Sequence, residues 1–395
     1  MKKLAVDGGR PVRDTMLNYA RQWIDERDIE AVVEVLRGDW LTTGPNVEAF
    51  ERAIADTTGA TEAIAVNTGT AALHAAAFAA GIGPGDEVIV PPLSFVASAN
   101  CVLYLGGKPV FADVDPRTLN LDPEDVREKT NSRTKAIVAV DLCGQPCDHD
   151  ALRTLADEHG LVVIEDAAHS LGAVYHGRKV GTLQDLTTLS FHPVKHITTG
   201  EGGMVLTDDP DLAKRIRSFR HHGIDLDFRE RSRANSWQYD VVNLGFNYRL
   251  PDINCALGMA QLERLEGWLA RRREIVARYD EAFSSIEAVE IPHVIPDCQP
   301  AWHLYVIKLH LDQLRADREA IYKALRAENI GVNVHYIPIH WLSHYQQLGY
   351  ARDACPQAGR AYARLITLPL YPAMSDKDAD DVIEAVSKVV SAFAV

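Results

Sequence analysis

The chain has 395 residues, of which 47% are hydrophobic and 24% charged, and a formal net charge of -14. That is an ordinary globular composition, long enough for one large domain with a buried sheet plus a smaller companion. The acidic balance speaks against a nucleic-acid partner, because affinity for phosphate backbones rests on clustered Lys and Arg.

No run approaches the roughly 20 apolar residues of a membrane span, and the opening MKKLAVDGGRPVRD lacks the apolar core of a signal peptide. Six cysteines are scattered through the chain, and the only close pair, Cys143 and Cys147, has no second pair to complete a zinc site. The expectation is a cytoplasmic protein with reduced thiols, no membrane association and no metal.

From about residue 60 to 210, short apolar runs alternate with helical patterns. EAIAV (62–66), DEVIVPP (86–92), KPVFADV (108–114), TKAIVAVD (134–141) and LVVIED (161–166) read as strands. Between them lie GTAALHAAAFAAG, SFVASANCVLYLG and polar helices near 122–129 and 148–159. That alternation predicts βαβ units and a mostly parallel central sheet flanked by helices, with ligand groups at the carboxyl ends of its strands. After residue 250, PDINCALGMAQLERLEGWLARRREIVARYDEAF reads as long helix with few interruptions, with Pro251 at its first turn. The basic run inside it, Arg271-Arg272-Arg273, reads as a solvated face. The Pro-rich IPHVIPDCQP (291–300) reads as a crossing, and WHLYVIKL, a helix near 317–328 and GVNVHYIPIH (331–340) form a small α+β unit. The resulting division is a large domain over 15–265 and a small C-terminal domain over 266–395, with 1–14 associated with the latter.

Four segments carry chemistry. NTGTAAL (67–73) follows a strand and opens a helix, so Gly69 and Thr70 offer backbone amides to a phosphate; simple helix capping is the ordinary reading. In IEDAAHS (164–170), Asp166 ends a buried strand, where an unpaired carboxylate is costly and calls for a cation or strong donors. His169 follows three residues later. LSFHPVKHITTGEGG (189–203) supplies Ser190 at a strand end and Lys195 in the turn beyond it. Burial favours the neutral amine that attacks an aldehyde. The fourth segment is NLGFNYRL (243–250), with Asn247 and Arg249.

Together these words resemble the fold-type I enzymes of pyridoxal phosphate (PLP), and specifically the nucleotide-sugar aminotransferase family of the DegT/DnrJ/EryC1/StrS type. The resemblance runs from NYARQWIDERDIEAVVEVLRGDWLTTGP (18–45) to ITLPLYPAM (366–374). It implies that Lys195 carries the cofactor as a Schiff base and then acts as acid and base. Asp166 would pair the pyridine nitrogen with His169 near the ring, Phe95 would cover the ring's other face, and Gly69, Thr70 and Ser190 would hold the phosphate. Asn247 resembles the asparagine that reaches the phosphate from a neighbouring subunit, which implies a homodimer with shared active sites; a loop amide bonding its own backbone is the alternative.

Within the family, NYARQWID, WLTTGP and SFHPVKHITTGEGG are similar to the 4-aminotransferases of pseudaminic acid biosynthesis. Those enzymes move an amino group from L-glutamate to C4 of a UDP-linked 4-keto-6-deoxy-N-acetylhexosamine. The spelling NTGTAAL is associated more broadly with other sugar branches and leaves a GDP-perosamine or dTDP-amino-sugar type open. Tyr19, Arg21, His335 and Tyr336 fall in substrate-facing segments of the resemblance, and Arg249 is a candidate for a carboxylate or the substrate, a surface ion pair being its ordinary reading. A non-catalytic regulator binding PLP or a nucleotide sugar is the rival from another class, disfavoured by the acidic charge. A dehydratase relative would replace the lysine by histidine, and Lys195 is present.

Overall fold

The computed structural model describes residues 3–226, 231 and 235–395. A seven-stranded sheet is built from β1 (Glu62–Val66), β2 (Glu87–Val90), β3 (Lys108–Phe111), β4 (Thr134–Val140), β5 (Val162–Asp166), β8 (Leu186–Ser190) and β9 (Gly203–Thr207). The short β6 (Val174–Tyr175) and β7 (Arg178–Lys179) lie outside it, in a three-stranded ribbon with β11 (Cys298–Gln299). The order across the large sheet is β1-β9-β8-β5-β4-β2-β3, and only β9 runs against the rest. The strands are almost wholly buried, as expected where helices cover both faces.

Helix Gly69–Ala79 buries nearly every side chain against one face of the sheet. Its alanines remove side-chain bulk, so the helix lies close on the strands, with Ala97–Tyr104 and Pro210–Arg220 beside it in the same core. The other face is covered by Pro45–Thr58 and His149–His159. The parallel strands therefore deliver their carboxyl ends, at Val66, Val90, Val140, Asp166 and Ser190, to one edge of the molecule.

A second core gathers β10 (Val289–Glu290), β12 (Tyr305–Leu309) and β13 (Leu365–Leu368) with the helices Leu265–Phe283, Arg318–Ala327 and Asp376–Phe393. Leu4 and Leu17 join this core. Further along, Ile339, Tyr345 and Ala358 pack back on the large sheet.

Three sequence expectations are sharpened or corrected by the structure. The long helix after Pro251 is two helices, Asp252–Leu262 and Leu265–Phe283, broken at Glu263–Arg264. Arg264 turns there to clamp Asp25 and Asp28, a tertiary demand that helix periodicity does not register. Within the small α+β unit, the segment 331–340 contributes a single bridge, Asn333 to Thr367, and the small sheet takes Leu365–Leu368 as its third strand. Third, Arg272 is not solvated. It shares the buried stripe of its helix with Leu269, Ile275 and Tyr279, and its guanidinium donates to the carbonyls of Trp302, His303 and Leu370 at 3.0–3.3 Å. Burial lowers its ionisation to about 10. No helix among the described residues is long and apolar enough to cross a membrane.

Candidate active site

The carboxyl edge of the sheet brings the first three motifs together. Asp166 closes β5 and is buried beside β8, whose last residue is Ser190. Beyond Ser190 the chain leaves the sheet at Pro193 and turns, with the Lys195 N–H donating to His192 O at 2.9 Å. Lys195 is half-buried there. Desolvation lowers its ammonium to about 8, opposed by the attraction of Asp166. Loss of hydration favours the neutral amine, the form able to attack an aldehyde or carry a proton.

Asp166 is held rather than free. Ser98 Oγ donates to its Oδ2 at 2.7 Å, and the Ala168 N–H reaches Oδ1 at 3.3 Å. Burial raises its carboxyl above the ordinary range, with the Ser98 bond and the Lys195 charge opposing. A cation set against this group restores the ionised form.

His169 lies in the turn after Asp166 and is buried. Its ring stacks at 6.2 Å on Tyr336, whose hydroxyl is 3.4 Å from Nε2, and lies 4.4 Å from the ring of His303. Its Nδ1 is buried without a hydrogen-bond partner. Desolvation pushes His169, His196 and His303 well below the usual imidazole range, so they stand neutral around Lys195. His335, lowered to about 4 by burial, hydrogen-bonds Thr367 Oγ1 at 2.8 Å and meets the ring of Tyr19 at 5.4 Å.

On the β1 side, Thr68 caps helix Gly69–Ala79 by accepting from Ala71 N. Gly69 then passes so close to Ser190 that a Cβ on it would lie 2.9 Å from Ser190 Cβ and 3.0 Å from Oγ. Glycine at this position lets a helix N-terminus, with its unpaired amides, meet a hydroxyl. Such an arrangement has the chemistry of an anion cradle.

These features fit PLP. A helix N-terminus with Ser190 suits the phosphate, a buried carboxylate suits the ring-nitrogen cation, an amine of lowered basicity suits the aldehyde, and an unpartnered buried imidazole nitrogen faces the same region.

The remaining candidates stand further out. Phe95, on the turn before helix Ala97–Tyr104, is 58% exposed in the single chain. Asn247 is exposed too, although its backbone carbonyl accepts from Asn67 Nδ2 at 3.4 Å, beside the Thr68–Gly69 turn. Arg21 is exposed. Arg249 is not gathered with the lysine: it bridges Val66 through backbone, points Nη1 to His221 Nδ1 at 2.7 Å, and lines a cleft of about 830 Å³ with Glu51 and Arg220. Sequence reasoning missed Ser98, His196 and His303. The last lay in plain view within WHLYVIKL, where a histidine in a buried apolar run needs a reason to be there.

The model of the DegT/DnrJ/EryC1/StrS aminotransferase family matches residues 22–387. The spore coat polysaccharide biosynthesis protein SpsC of Bacillus subtilis is 45% identical over 381 residues, 96% of this chain and 98% of that protein. Among solved structures, Helicobacter pylori PseC, an aminotransferase of pseudaminic acid biosynthesis, is 32% identical, with a TM-score of 0.89 over 96% of this chain and 100% of its own. Spr1654 of Streptococcus pneumoniae, solved in its PLP form, is 31% identical with a TM-score of 0.89, over 95% of this chain and 99% of its own. The chain belongs to the DegT/DnrJ/EryC1/StrS aminotransferase family and is a PLP-dependent sugar aminotransferase.

Proposed function

We propose that the enzyme moves an amino group from L-glutamate to C4 of a UDP-linked 4-keto-6-deoxy-N-acetylhexosamine, giving UDP-4-amino-4,6-dideoxy-N-acetyl-β-L-altrosamine for pseudaminic acid synthesis. It does so in the cytoplasm as a homodimer with shared active sites. The convergence of Lys195, Asp166 and His169 at one sheet edge carries the chemistry, and the 32% identity to PseC across its whole length supports the substrate.

PLP, when bound, supplies the electron sink that makes a proton beside an amino group removable. Lys195 Nζ takes that proton and returns it one position away, a task suited to an amine lowered to about 8. Asp166 holds the positive charge of the ring nitrogen, and Ser98 keeps the carboxylate aimed. With PLP bound, His169 would lie near the ring, and Phe95 would be the residue to cover its other face. Gly69, Thr70 and Ser190 bind the phosphate, joined by Asn247 from the second subunit. Tyr19, His335 and Tyr336 contact the sugar, while Arg21 and Arg249 serve the anionic groups of substrate or donor. Trp237, Val242 and Leu244, exposed around the Asn247 segment, form an apolar surface suited to a second copy.

The 45% identity to SpsC favours a second reading, in which the acceptor is another nucleotide-linked keto sugar, of the GDP-perosamine or dTDP-amino-sugar type. The deciding experiment starts from the visible absorbance of purified enzyme before and after L-glutamate. Replacement of the PLP band by that of pyridoxamine phosphate establishes the donor half-reaction. The aminated enzyme is then offered a panel of UDP-, GDP- and dTDP-linked 4-keto sugars. Return of the PLP band with the UDP-linked N-acetyl sugar supports the first reading, and return only with another sugar replaces it.

A further inference from the structure

Behind the cofactor face, the sheet buries a second polar cluster that the chemistry above does not use. Asp141 follows β4, Glu165 immediately precedes Asp166 in β5, and His149 opens the helix His149–His159. The side chains of all three are fully buried. Alternation along β5 puts Glu165 on the face opposite Asp166. His149 Nε2 lies 3.0 Å from Asp141 Oδ1 and 3.2 Å from Glu165 Oε1, and Thr187 Oγ1 donates to Glu165 Oε2 at 2.6 Å.

Asp141 is the hub. Its Oδ1 also accepts from Cys147 N at 2.9 Å, its Oδ2 accepts from Ser170 Oγ at 2.7 Å, and its own N–H donates to Asp166 O at 3.2 Å. Ser170 closes the turn that starts at Asp166 and carries His169, through its N–H to Ala167 O at 3.0 Å. The loop after Asp141 also meets that turn through Gly144, where a Cβ would lie 2.7 Å from His169 O and 2.9 Å from His303 N.

We propose that Asp141 is a positioning residue for transamination: through Ser170 it fixes the turn that aims Asp166 and His169, and His149 with Glu165 locks it from behind. This rests on the reading of Asp166 and His169 as cofactor-facing groups. Two buried carboxylates side by side are costly unless compensated. Here they raise His149 to about 10, while burial, opposed by His149, pushes Asp141 up to about 6. The same three side chains have the composition of a metal site. The Nε2 hydrogen bond to Asp141 Oδ1, the ion-pair distance to Glu165 Oε1, and donors on the other carboxylate oxygens favour a protonated His149 between the carboxylates instead.

The test uses PLP-loaded Ser170→Ala and Ser170→Thr beside the wild type, with Asp141→Asn as a second probe. The visible circular dichroism of bound PLP reports how the ring is held, independently of turnover. Ser170→Ala is expected to keep PLP, to melt a few degrees lower because Asp141 Oδ2 loses a buried donor, to weaken that signal, and to lower kcat by about tenfold with little change in KM, as slight misplacement of reacting groups does. Ser170→Thr is expected to restore both. An unchanged dichroic signal and kcat in Ser170→Ala and Asp141→Asn overturn the proposal, as does a stoichiometric divalent metal whose removal by chelator abolishes activity. Failure of the wild type to bind PLP or to accept glutamate's amino group defeats the functional reading itself, and so is distinguishable.

Discussion

Ser98 Oγ and Asp166 Oδ2 lie 2.7 Å apart, joining helix Ala97–Tyr104 to the end of β5. Ser98 is in turn bonded to Ser94 Oγ at 2.7 Å, so the turn bearing Phe95 and the carboxylate are one connected unit. A buried acid with one strong donor is sensitive to losing it. Ser98→Ala should retain PLP yet lose roughly tenfold in kcat, as a positioned group drifts. The Ser98 bond lowers the Asp166 carboxyl, so its removal should move the acid limb of the activity profile to higher pH. An unchanged pH profile would separate Ser98 from the mechanism.

Lys195 sets a second expectation. Its ammonium is lowered to about 8 by desolvation, so in enzyme stripped of cofactor the reactive amine is scarce at pH 7 and dominant above pH 9. The rate at which the stripped enzyme takes up PLP should rise as pH increases through about 8. Stopped-flow absorbance measures it; a midpoint near 10.5, the ordinary lysine value, would deny the desolvation. Lys195→Ala should abolish turnover.

Gly69 separates cofactor binding from folding. Gly69 is the first residue of its helix, where alanine fits the backbone without strain, yet its Cβ would press on Ser190 at 2.9 Å. Gly69→Ala should therefore melt within a few degrees of wild type while binding PLP about tenfold more weakly, a loss of about 1.4 kcal/mol. Equilibrium titration of PLP fluorescence and a thermal melt, read together, decide it. Equal PLP affinity would remove the cradle.

Arg272 carries a stability forecast. Replacing it with Leu leaves the carbonyls of Trp302, His303 and Leu370 without their shared donor. Unsatisfied buried acceptors cost about 1–3 kcal/mol each, so Arg272→Leu should lose about 3 kcal/mol or more in urea unfolding. A loss below 1 kcal/mol would show that water replaces the guanidinium.

His149 predicts a slope in the pH dependence of stability. Its value is raised from 6.5 to about 10 in the folded protein by Asp141 and Glu165. The folded state thus holds a proton that the unfolded state releases between these values. Its contribution is complete below pH 6.5 and is lost progressively as pH rises toward 10, at up to about 1.4 kcal/mol per pH unit. His149→Gln should be less stable at pH 7 and should lack that part of the decline. Chemical unfolding at pH 7, 8 and 9 tests this, and parallel slopes would contradict it.

The sequence by itself determined the large sheet, because β-branched runs alternating with helical periods leave little other solution. It also marked Asp166 and Lys195 as candidates: singly, a carboxylate ending an apolar run and a lysine after a strand have ordinary readings, and only the segments together, through the family resemblance they carry, point to PLP. The parallel topology then made the meeting of Gly69, Asp166, Ser190 and Lys195 predictable, because all follow strands that end on one edge. Only the tertiary structure decided the rest. Ser98, His303 and Asp141 act on groups far away in the chain, and no local period records such a partner. Arg272 looked like surface charge because a basic run carries no mark of three distant carbonyls waiting for it. The break at Arg264 came from a pull by Asp25 and Asp28. Local sequence fixes which groups are present and on which element; which of them are buried and whom they meet is set by packing between segments that the chain order keeps apart.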